Sequence, residues 1–266
     1  MKNRIDEKFA HLRDIGRKAF IPYITAGDPT LERTRQLVLA LERAGADVIE
    51  LGIPFSDPLA DGKTNQEAAE RALKNNVTLA QVITLVGSIR QDTQIPIIFF
   101  TYLNPVFQYG FERFAADAAA AGVDGVLVLD QPPEEAELCK RALDACGLKT
   151  IFLIAPTSTE ERVRKITAQA SGFIYYVSRT GVTGERDTIS TDIAEHIDCI
   201  RKYSSLPIAV GFGISNPEHV TRVAETADAV VVGSAIVHKV GDGGDTDQMV
   251  ADVESFVASL SAPLRV

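Results

Sequence analysis

The sequence predicts an α/β fold, a single-domain (β/α)8 TIM barrel. Short apolar runs rich in β-branched residues recur eight times, and amphipathic stretches of helical periodicity separate them. The runs cover residues 20–25, 48–51, 97–102, 126–129, 151–154, 173–177, 208–211 and 230–232. Strands that alternate with helices form a parallel sheet, and eight such units in 266 residues favour closure, since this barrel needs roughly 250 residues. A doubly wound open sheet is the alternative, but no glycine-rich dinucleotide fingerprint follows an early strand.

The whole chain, residues 1–266, is expected to form one barrel domain that begins with a short N-terminal helix. No low-complexity segment and no Pro- or Ser-rich linker divides it. The stretch GDGGDTD at 241–247 predicts a solvated loop before the last helix. Pro22 lies inside the first strand run although it lacks an N–H, so we expect a bulge or an irregular strand there.

Composition excludes several classes of protein. Hydrophobic residues make up 45% and charged residues 24%, as in a globular chain with a large core. Lys and Arg number 27 against 36 Asp and Glu, and the net charge of -9 argues against a nucleic-acid or anionic-membrane surface. The three cysteines lack C-x-x-C spacing, which indicates free thiols in a reducing compartment. The N-terminus has no apolar signal region and no long apolar span follows, so we expect a cytoplasmic protein.

Glu50 is the first candidate for chemistry. It lies in the otherwise apolar strand run DVIEL, and the C-terminal strand ends of a TIM barrel are where ligands bind. A carboxyl group buried there must find partners or stay protonated, because a bare buried charge is costly. Glu50 is therefore either a structural, hydrogen-bonded residue or a proton-transfer group.

The segment LGIPFSDPLADG at 51–62 is too long for a minimal connection from strand to helix, and it is typical of a functional loop. Asp57 and Asp61 are both candidates within it. Either could instead be a capping or turn aspartate, and spacing alone does not choose between them.

Three glycine-bearing turns follow the last three predicted strands, namely 181–184, 211–213 and 233–234. TIM barrels commonly bind phosphate with backbone N–H groups in the loops after their last two strands. Each glycine alone could simply permit a tight turn, but their joint placement predicts a phosphate site. The four histidines show no metal-ligand spacing and no G-x-S-x-G motif is present, so neither a metal nor a serine nucleophile is expected.

At ELGIPFSDPLADG (50–62) the sequence closely resembles the signature of the tryptophan synthase alpha subunit family. Similar motifs lie after the other predicted strands, and together they span nearly the whole chain. They are PYITAGDP (22–29), TYLNPVF (101–107), the segment 130–135, SRTGVTG (178–184), GFGIS (211–215) and GSAIV (233–237).

The resemblance implies a lyase of tryptophan biosynthesis that cleaves indole-3-glycerol phosphate to indole and glyceraldehyde 3-phosphate by a retro-aldol reaction. Glu50 and Asp61 are implied as the catalytic pair, with Glu50 moving protons at indole C3 and at the glycerol hydroxyl, and Asp61 accepting the indole N–H. The remaining implied site residues are Phe20, Tyr102, Leu127, Tyr175, Thr183 and Phe212 for substrate, Gly184, Gly213, Gly233 and Ser234 for phosphate, and Arg179 for loop closure. For Phe20 and Leu127 an ordinary role in the barrel core is nearly as good an interpretation.

The resemblance further implies an α2β2 assembly in which this chain carries no cofactor and a beta subunit carries pyridoxal phosphate. Asp57 and Lys63 would then lie at the partner interface. The sequence departs from the family at Lys63 and Asn65, where DGKTNQ replaces the usual DGPTIQ, and at Gln131, where leucine is common. The alternatives are a free-standing lyase and a catalytically weak regulatory subunit. A ring-closing indole-glycerol phosphate synthase is disfavoured, because no lysine lies at a strand end.

Overall fold

Eight parallel strands form a closed barrel in the computed structural model, which describes residues 3–177, 186–211 and 213–265. The predicted fold is thereby confirmed, and each strand pairs with its neighbours in chain order, β8 returning to β1. The strands are β1 (Ala19–Thr25), β2 (Ile49–Gly52), β3 (Ile97–Thr101), β4 (Gly125–Val128), β5 (Lys149–Ile154), β6 (Ile174–Val177), β7 (Ile208–Gly211) and β8 (Ala229–Val232).

Helices follow the strands and surround the barrel. Many begin at a side chain that accepts a first-turn N–H, as Thr30, Thr159 and Thr246 do, and Thr78 with Gln81 forms a full capping box. The helices are α1 (Arg4–Asp14), α2 (Leu31–Arg43), α3 (Lys63–Lys74), α4 (Leu79–Ile89), α5 (Leu103–Tyr109), α6 (Phe111–Ala121), α7 (Glu137–Ala145), α8 (Glu160–Gln169), α9 (Arg186–Arg201), α10 (Pro217–Ala224), α11 (Ser234–Gly243) and α12 (Asp247–Ser261). Short 3-10 turns cover Pro133–Glu135 and Ala262–Leu264.

The core has two layers because side chains alternate between the two faces of each strand. One layer lies between the sheet and the helices, and it holds Phe20, Ile24 and most of the apolar residues of the helices. The other fills the barrel interior and includes Ile21, Ile98, Leu127, Ile151, Phe173 and Val231. The interior is thus a packed core, and in a barrel of this kind a ligand binds at the C-terminal ends of the strands.

Helix α1 covers the N-terminal end of the barrel. Its buried residues Ile5, Phe9 and Leu12 belong to the interior layer, and the rings of Phe9 and Phe173 lie 5.7 Å apart between centroids. The side chain of Asn3 caps the helix and also donates to the backbone oxygen of Asp124 at 2.8 Å. The helix therefore closes this end, leaving the opposite end for function.

Two local expectations are corrected. β1 runs without interruption through Pro22, which is the last residue paired with β8, while pairing with β2 begins at Tyr23. Pro22 therefore lies where the pairing of β1 changes from β8 to β2, and the strand accommodates the missing N–H without a bulge. The predicted loop at 241–247 is shorter than expected, because α11 continues to Gly243 and ends at Gly244 with φ +60°.

Candidate active site

A cavity of about 680 Å³ opens at the C-terminal end of the barrel. Its walls come from the ends of β1, β2, β3, β6, β7 and β8, from the first turns of α3 and α11, and from the segment after β7. The lining includes Tyr23, Glu50, Asn65, Phe100, Tyr175, Val177, Gly211, Gly213, Val231, Gly233, Ser234 and His238. Apolar and aromatic walls with a few polar groups are typical of a site for a small organic substrate.

Glu50 lies deep in this cavity, in register with Tyr23 on β1 and Ile98 on β3. Its side chain is buried, with a residue exposure of 1%, and among the described residues its Oε1 has no hydrogen-bond partner. Burial, with the nearby charge of Asp61 as a smaller cause, raises the pKa of Glu50 to about 8. Glu50 is therefore protonated at neutral pH and can give a proton to a ligand.

Asp61 comes from the loop after β2 and differs from Glu50 in its surroundings. The hydroxyl of Tyr102 donates to its Oδ2 at 2.9 Å, and the amide of Asn65 donates to its Oδ1 at 3.4 Å. Burial raises the pKa of Asp61, while these two hydrogen bonds oppose that rise by favouring the charged form. The backbone is also held, because Gln66 donates to the Asp61 carbonyl at 2.8 Å.

Two tyrosines stand beside Glu50, and a glycine makes room for each. A Cβ on Gly52 would lie 2.2 Å from the Tyr23 hydroxyl, and a Cβ on Gly211 would lie 2.6 Å from the Tyr175 hydroxyl. Burial, with Asp61 as a further cause for Tyr23 and Glu50 for Tyr175, raises the pKa of both phenols, so both remain neutral. Larger residues in place of the glycines would displace these rings.

The N-terminus of α11 lies at the cavity wall. Gly233 is the N-cap and offers no side-chain cap, and Ser234 and Ala235 of the first turn line the cavity. Uncapped N–H groups at a helix N-terminus are a favourable site for an anion. Gly213, which also lines the cavity, has φ +58°. This is where a substrate phosphate can bind.

Of the predicted site residues, Glu50, Tyr175, Gly213, Gly233 and Ser234 line the cavity, Asp61 and Tyr102 are hydrogen-bonded to each other, and Phe20 and Leu127 lie in the core instead. Phe20 lies in the layer between barrel and helices rather than at the cavity, because it has the opposite parity to Ile21 and Tyr23 on β1. Leu127 is fully buried in the interior layer, which agrees with its alternative interpretation as core. The predicted roles of Arg179, Thr183, Gly184 and Phe212 fall on residues outside those that the structure describes.

Among the cavity residues that sequence reasoning missed are Tyr23, Phe100 and Asn65. The rings of Tyr23 and Phe100 meet edge to face with centroids 5.2 Å apart. For Tyr23 the signal was present, since strand alternation from the apolar Ala19 and Ile21 gives it the same inward direction.

The outer surface of the loop after β2 is exposed. Asp57 accepts a hydrogen bond from the Ser56 hydroxyl at 2.6 Å, and Leu59 is 92% exposed. Lys63 begins α3 and forms an i,i+4 ion pair with Glu67 at 3.6 Å. Phe107 on the nearby α5 is 62% exposed. Tyr102, the N-cap of α5, connects this helix to the loop after β2, because its hydroxyl accepts the N–H of Ala60 at 3.0 Å.

The described residues contain neither a candidate metal site nor a candidate membrane-spanning helix. No cluster of three or more His, Cys, Asp or Glu side chains could hold a metal ion in that part of the chain. Within the same residues, no helix combines the length and the apolar character needed to cross a bilayer.

A sequence model of the tryptophan synthase alpha chain matches residues 9–264. The chain belongs to the tryptophan synthase alpha chain family. The alpha chain of Geotalea uraniireducens is 53% identical over 263 residues, which is 99% of this chain and 98% of that protein. The alpha chain of Solibacter usitatus is 50% identical over 97% of this chain and 96% of its own length.

Solved structures agree with the family assignment. Tryptophan synthase subunit alpha from Legionella pneumophila superposes with a TM-score of 0.91 at 37% identity, covering 100% of this chain and 99% of that one. A chain from the tryptophan synthase α2β2 complex of Pyrococcus furiosus has a TM-score of 0.85 at 40% identity over 92% and 99% of the two chains. As a tryptophan synthase alpha chain, the protein is a lyase of tryptophan biosynthesis that cleaves indole-3-glycerol phosphate.

Proposed function

We propose that Glu50 and Asp61 carry out the retro-aldol cleavage of indole-3-glycerol phosphate in this cavity. The observation that supports this most strongly is Glu50 itself, a buried carboxyl group at a strand end whose Oε1 has no partner among the described residues. A structural glutamate would be expected to use both oxygens in hydrogen bonds. A carboxyl group kept neutral near working pH is suited to donate a proton and later to accept one.

In this mechanism Glu50 both supplies the proton that the reaction needs and takes one back. Protonated Glu50 gives its proton to indole C3, which becomes tetrahedral while positive charge develops at the ring nitrogen. The glycerol hydroxyl next gives its proton to the Glu50 carboxylate, a carbonyl forms, and the electrons of the C3–C3′ bond return to the ring. Indole and glyceraldehyde 3-phosphate leave, and Glu50 has regained its proton.

Asp61 supports the same step from the other side of the ring. The hydrogen bonds from Tyr102 and Asn65 favour the charged form of Asp61, in which it would accept the indole N–H and stabilise the developing positive charge. In known active sites, a neutral carboxyl group can act as the acid while a neighbouring charged carboxylate stabilises positive charge. The aromatic side chains of Tyr23, Phe100 and Tyr175 would flank the flat ring.

The phosphate is assigned to the wall formed by the start of α11 and the segment after β7. Gly233 and Ser234 at the start of α11, together with Gly213 after β7, would supply backbone N–H groups rather than cations. Gly184, with Thr183, Phe212 and the loop residue Arg179, completes the proposed site from the sequence pattern alone.

The partner is proposed to be a beta subunit in an α2β2 complex, as in the Pyrococcus furiosus relative. Pyridoxal phosphate would belong to that subunit, since the alpha reaction needs no cofactor in this chain. The exposed apolar residues Leu59 and Phe107 support an interface at the loop after β2 and α5, with Asp57 and Lys63 at its edge. We place the complex in the cytoplasm, from the free thiols and the charge of the chain.

Steady-state release of indole from indole-3-glycerol phosphate tests the proposal, with the chain alone and with a beta subunit. Glu50→Gln should retain the fold and substrate binding but lose about 100- to 10,000-fold in kcat, because an amide cannot transfer the required protons. Glu70→Gln, an exposed position on the outer side of α3, is the matched control and should leave kcat unchanged. Near-native turnover by Glu50→Gln would remove Glu50 from the mechanism.

A further inference from the structure

Asn65 occupies a place in the cavity that the reaction so far leaves unexplained. It lies in the first turn of α3, lines the cavity, and its Nδ2 is 3.4 Å from Asp61 Oδ1. The other oxygen of Asp61 accepts from Tyr102, so each carboxylate oxygen has one side-chain donor.

The charge of Asp61 fixes which way the Asn65 amide must face. An ionised carboxylate has no proton to donate, so only the NH2 group of the amide can be turned towards it. The amide carbonyl, Oδ1, must then point elsewhere. This atom is buried, and among the described residues it has no hydrogen-bond partner. A buried carbonyl without a partner is unfavourable unless a ligand supplies the donor.

The substrate offers few donors that could fill this role. Its ring N–H is already assigned to Asp61, and a phosphate ester at neutral pH mainly accepts hydrogen bonds. The hydroxyl groups of the glycerol chain remain. They lie between the ring and the phosphate, and Asn65 lines the same cavity as Glu50 and the start of α11.

We propose that Asn65 has two linked roles, positioning Asp61 through its NH2 group and selecting substrate by accepting a hydrogen bond from a glycerol hydroxyl through its carbonyl. This inference rests on the proposed function of the Glu50 and Asp61 pair. The first role keeps the Asp61 carboxylate oriented towards the indole N–H. The second makes binding stronger for a ligand whose chain carries hydroxyl groups.

The positioning role has a measurable sign. Because the Asn65 hydrogen bond lowers the pKa of Asp61, its loss should raise that pKa. Asp61 must be charged to act, so the acid limb of the kcat/KM profile should move to higher pH in Asn65→Leu, a variant of similar volume without hydrogen-bonding groups. The Glu50 limb on the alkaline side should move little. A loss of packing alone would lower activity equally at every pH.

The selection role is tested by binding in the Glu50→Gln background, which prevents turnover. Calorimetry would compare indole-3-glycerol phosphate with an analogue in which hydrogens replace the glycerol hydroxyls. We expect the preference for the hydroxylated compound to fall about 3- to 10-fold when Asn65→Leu is added, the value of one hydrogen bond. Asn75→Leu is the matched control, since the Asn75 amide lies at the far end of α3 and donates to the Pro29 carbonyl at 2.6 Å.

Asn65→Asp separates the two roles and serves if the leucine variant does not fold. It keeps an acceptor oxygen but replaces the NH2 donor by a second negative charge, so the hydroxyl preference should persist while the acid limb moves up. An unchanged hydroxyl preference in Asn65→Leu, or an acid limb that neither variant moves, would overturn the inference. Near-native indole release by Glu50→Gln would instead overturn the proposed function, so the two failures are distinguishable.

Discussion

The carboxylates at the N-terminal end of the barrel are held differently from Glu50 and Asp61 at its C-terminal end. At the N-terminal end, Asp124 accepts the N–H of Ile97 at 2.9 Å and pairs with Arg4 and Arg90, each at 2.8 Å. Asp47 repeats the pattern with the N–H of Phe20 and the cations Lys8 and Arg17. The half-buried Asp228, just before β8, has similar partners: the N–H of Ile208 at the start of β7, Lys18 and Arg201.

At the C-terminal end, no cation among the described residues forms an ion pair with the carboxyl group of Glu50 or Asp61. Within the part of the chain that the structure describes, the charge that affects Glu50 is the like charge of Asp61, and the bonds to Asp61 come from a phenol and an amide. Carboxylates that link a strand to its neighbour and to a cation stabilise the fold, whereas carboxylates left without a cation are free to exchange protons. The same residue types therefore do structural work where a cation pairs with them, as Arg71 does with Asp28 after β1, and are available for chemistry where none does.

Removing a carboxylate from the structural end should give the largest change in stability. Asp124→Ala leaves Arg90, whose side chain is 9% exposed, without its counter-charge. The free energy of unfolding should fall by about 3 to 5 kcal/mol, as for other broken buried ion pairs. Urea unfolding followed by circular dichroism measures it, and kcat per folded molecule should remain near the unmodified value.

Asp61→Asn is the matched variant at the other end and should show the reverse pattern, a large loss of kcat without a loss of stability. The contrast between the two ends would be wrong if Asp124→Ala abolished turnover in the folded protein, or if Asp61→Asn were the less stable of the two.

The next prediction concerns pH. Because Glu50 must be protonated to act, kcat/KM should fall as pH rises through about 8. The folded chain also binds the Glu50 proton more tightly than the unfolded chain, whose reference pKa is 4.5. Between these values the unfolded chain ionises first, so the contribution of Glu50 to stability decreases as pH rises and is constant above about 8.

Urea midpoints of the unmodified chain and of Glu50→Gln, each measured at pH 6 and pH 9, check this linkage. Relative to Glu50→Gln, the unmodified chain should have a lower urea midpoint at pH 9 than at pH 6. Glu70→Gln should behave as the unmodified chain does. A pH-independent difference would mean that Glu50 has an ordinary pKa.

A smaller effect on activity is expected at Gly213, in the cavity wall where the phosphate is proposed to bind. Gly213→Val should raise KM by roughly tenfold, since a side chain would keep the ligand from the backbone and valine is strained at φ +58°. Gly244→Val is the matched control because Gly244 has φ +60°, with no atom near an added Cβ, and lies at the end of α11 away from the cavity. Equal affinity of the unmodified and Gly213→Val chains for glyceraldehyde 3-phosphate by calorimetry would place the phosphate elsewhere.

The sequence predicted the fold better than the site because the two depend on different contacts. Strands and helices follow from local runs and periodicity, and all eight strands were found within two residues at each end. The inward direction of Glu50 was implied by its acidic character in an apolar run. The contact between Asp61 and Tyr102 joins residues that are 41 positions apart, and it depends on how the loop after β2 lies against α5. No local pattern encodes such a contact, which is also why Asn65 was noted as a departure but not as a cavity residue.

The smallest expected effect concerns the loop itself, at the start of α3. Lys63 is the first helical residue after Gly62, its side chain is 88% exposed, and its i,i+4 pair with Glu67 is a surface pair worth about 0 to 1 kcal/mol. Proline is well tolerated at this first position because its φ suits the helix and its missing N–H is not needed there. Lys63→Pro should therefore restrict the unfolded and open states of the loop, worth about 0.4 to 1 kcal/mol, and raise the activity of the chain alone by a few-fold at most.

With its own beta subunit, the same change should reduce the stimulation, because a charge that could pair with an acidic surface on that partner is lost. Indole release by both proteins, with and without the partner and at low and high salt, measures the two halves separately. The charge effect should fade at high salt, whereas the backbone effect should not. Identical rates in all four conditions would make Lys63 an ordinary solvated residue at the functional end of the barrel.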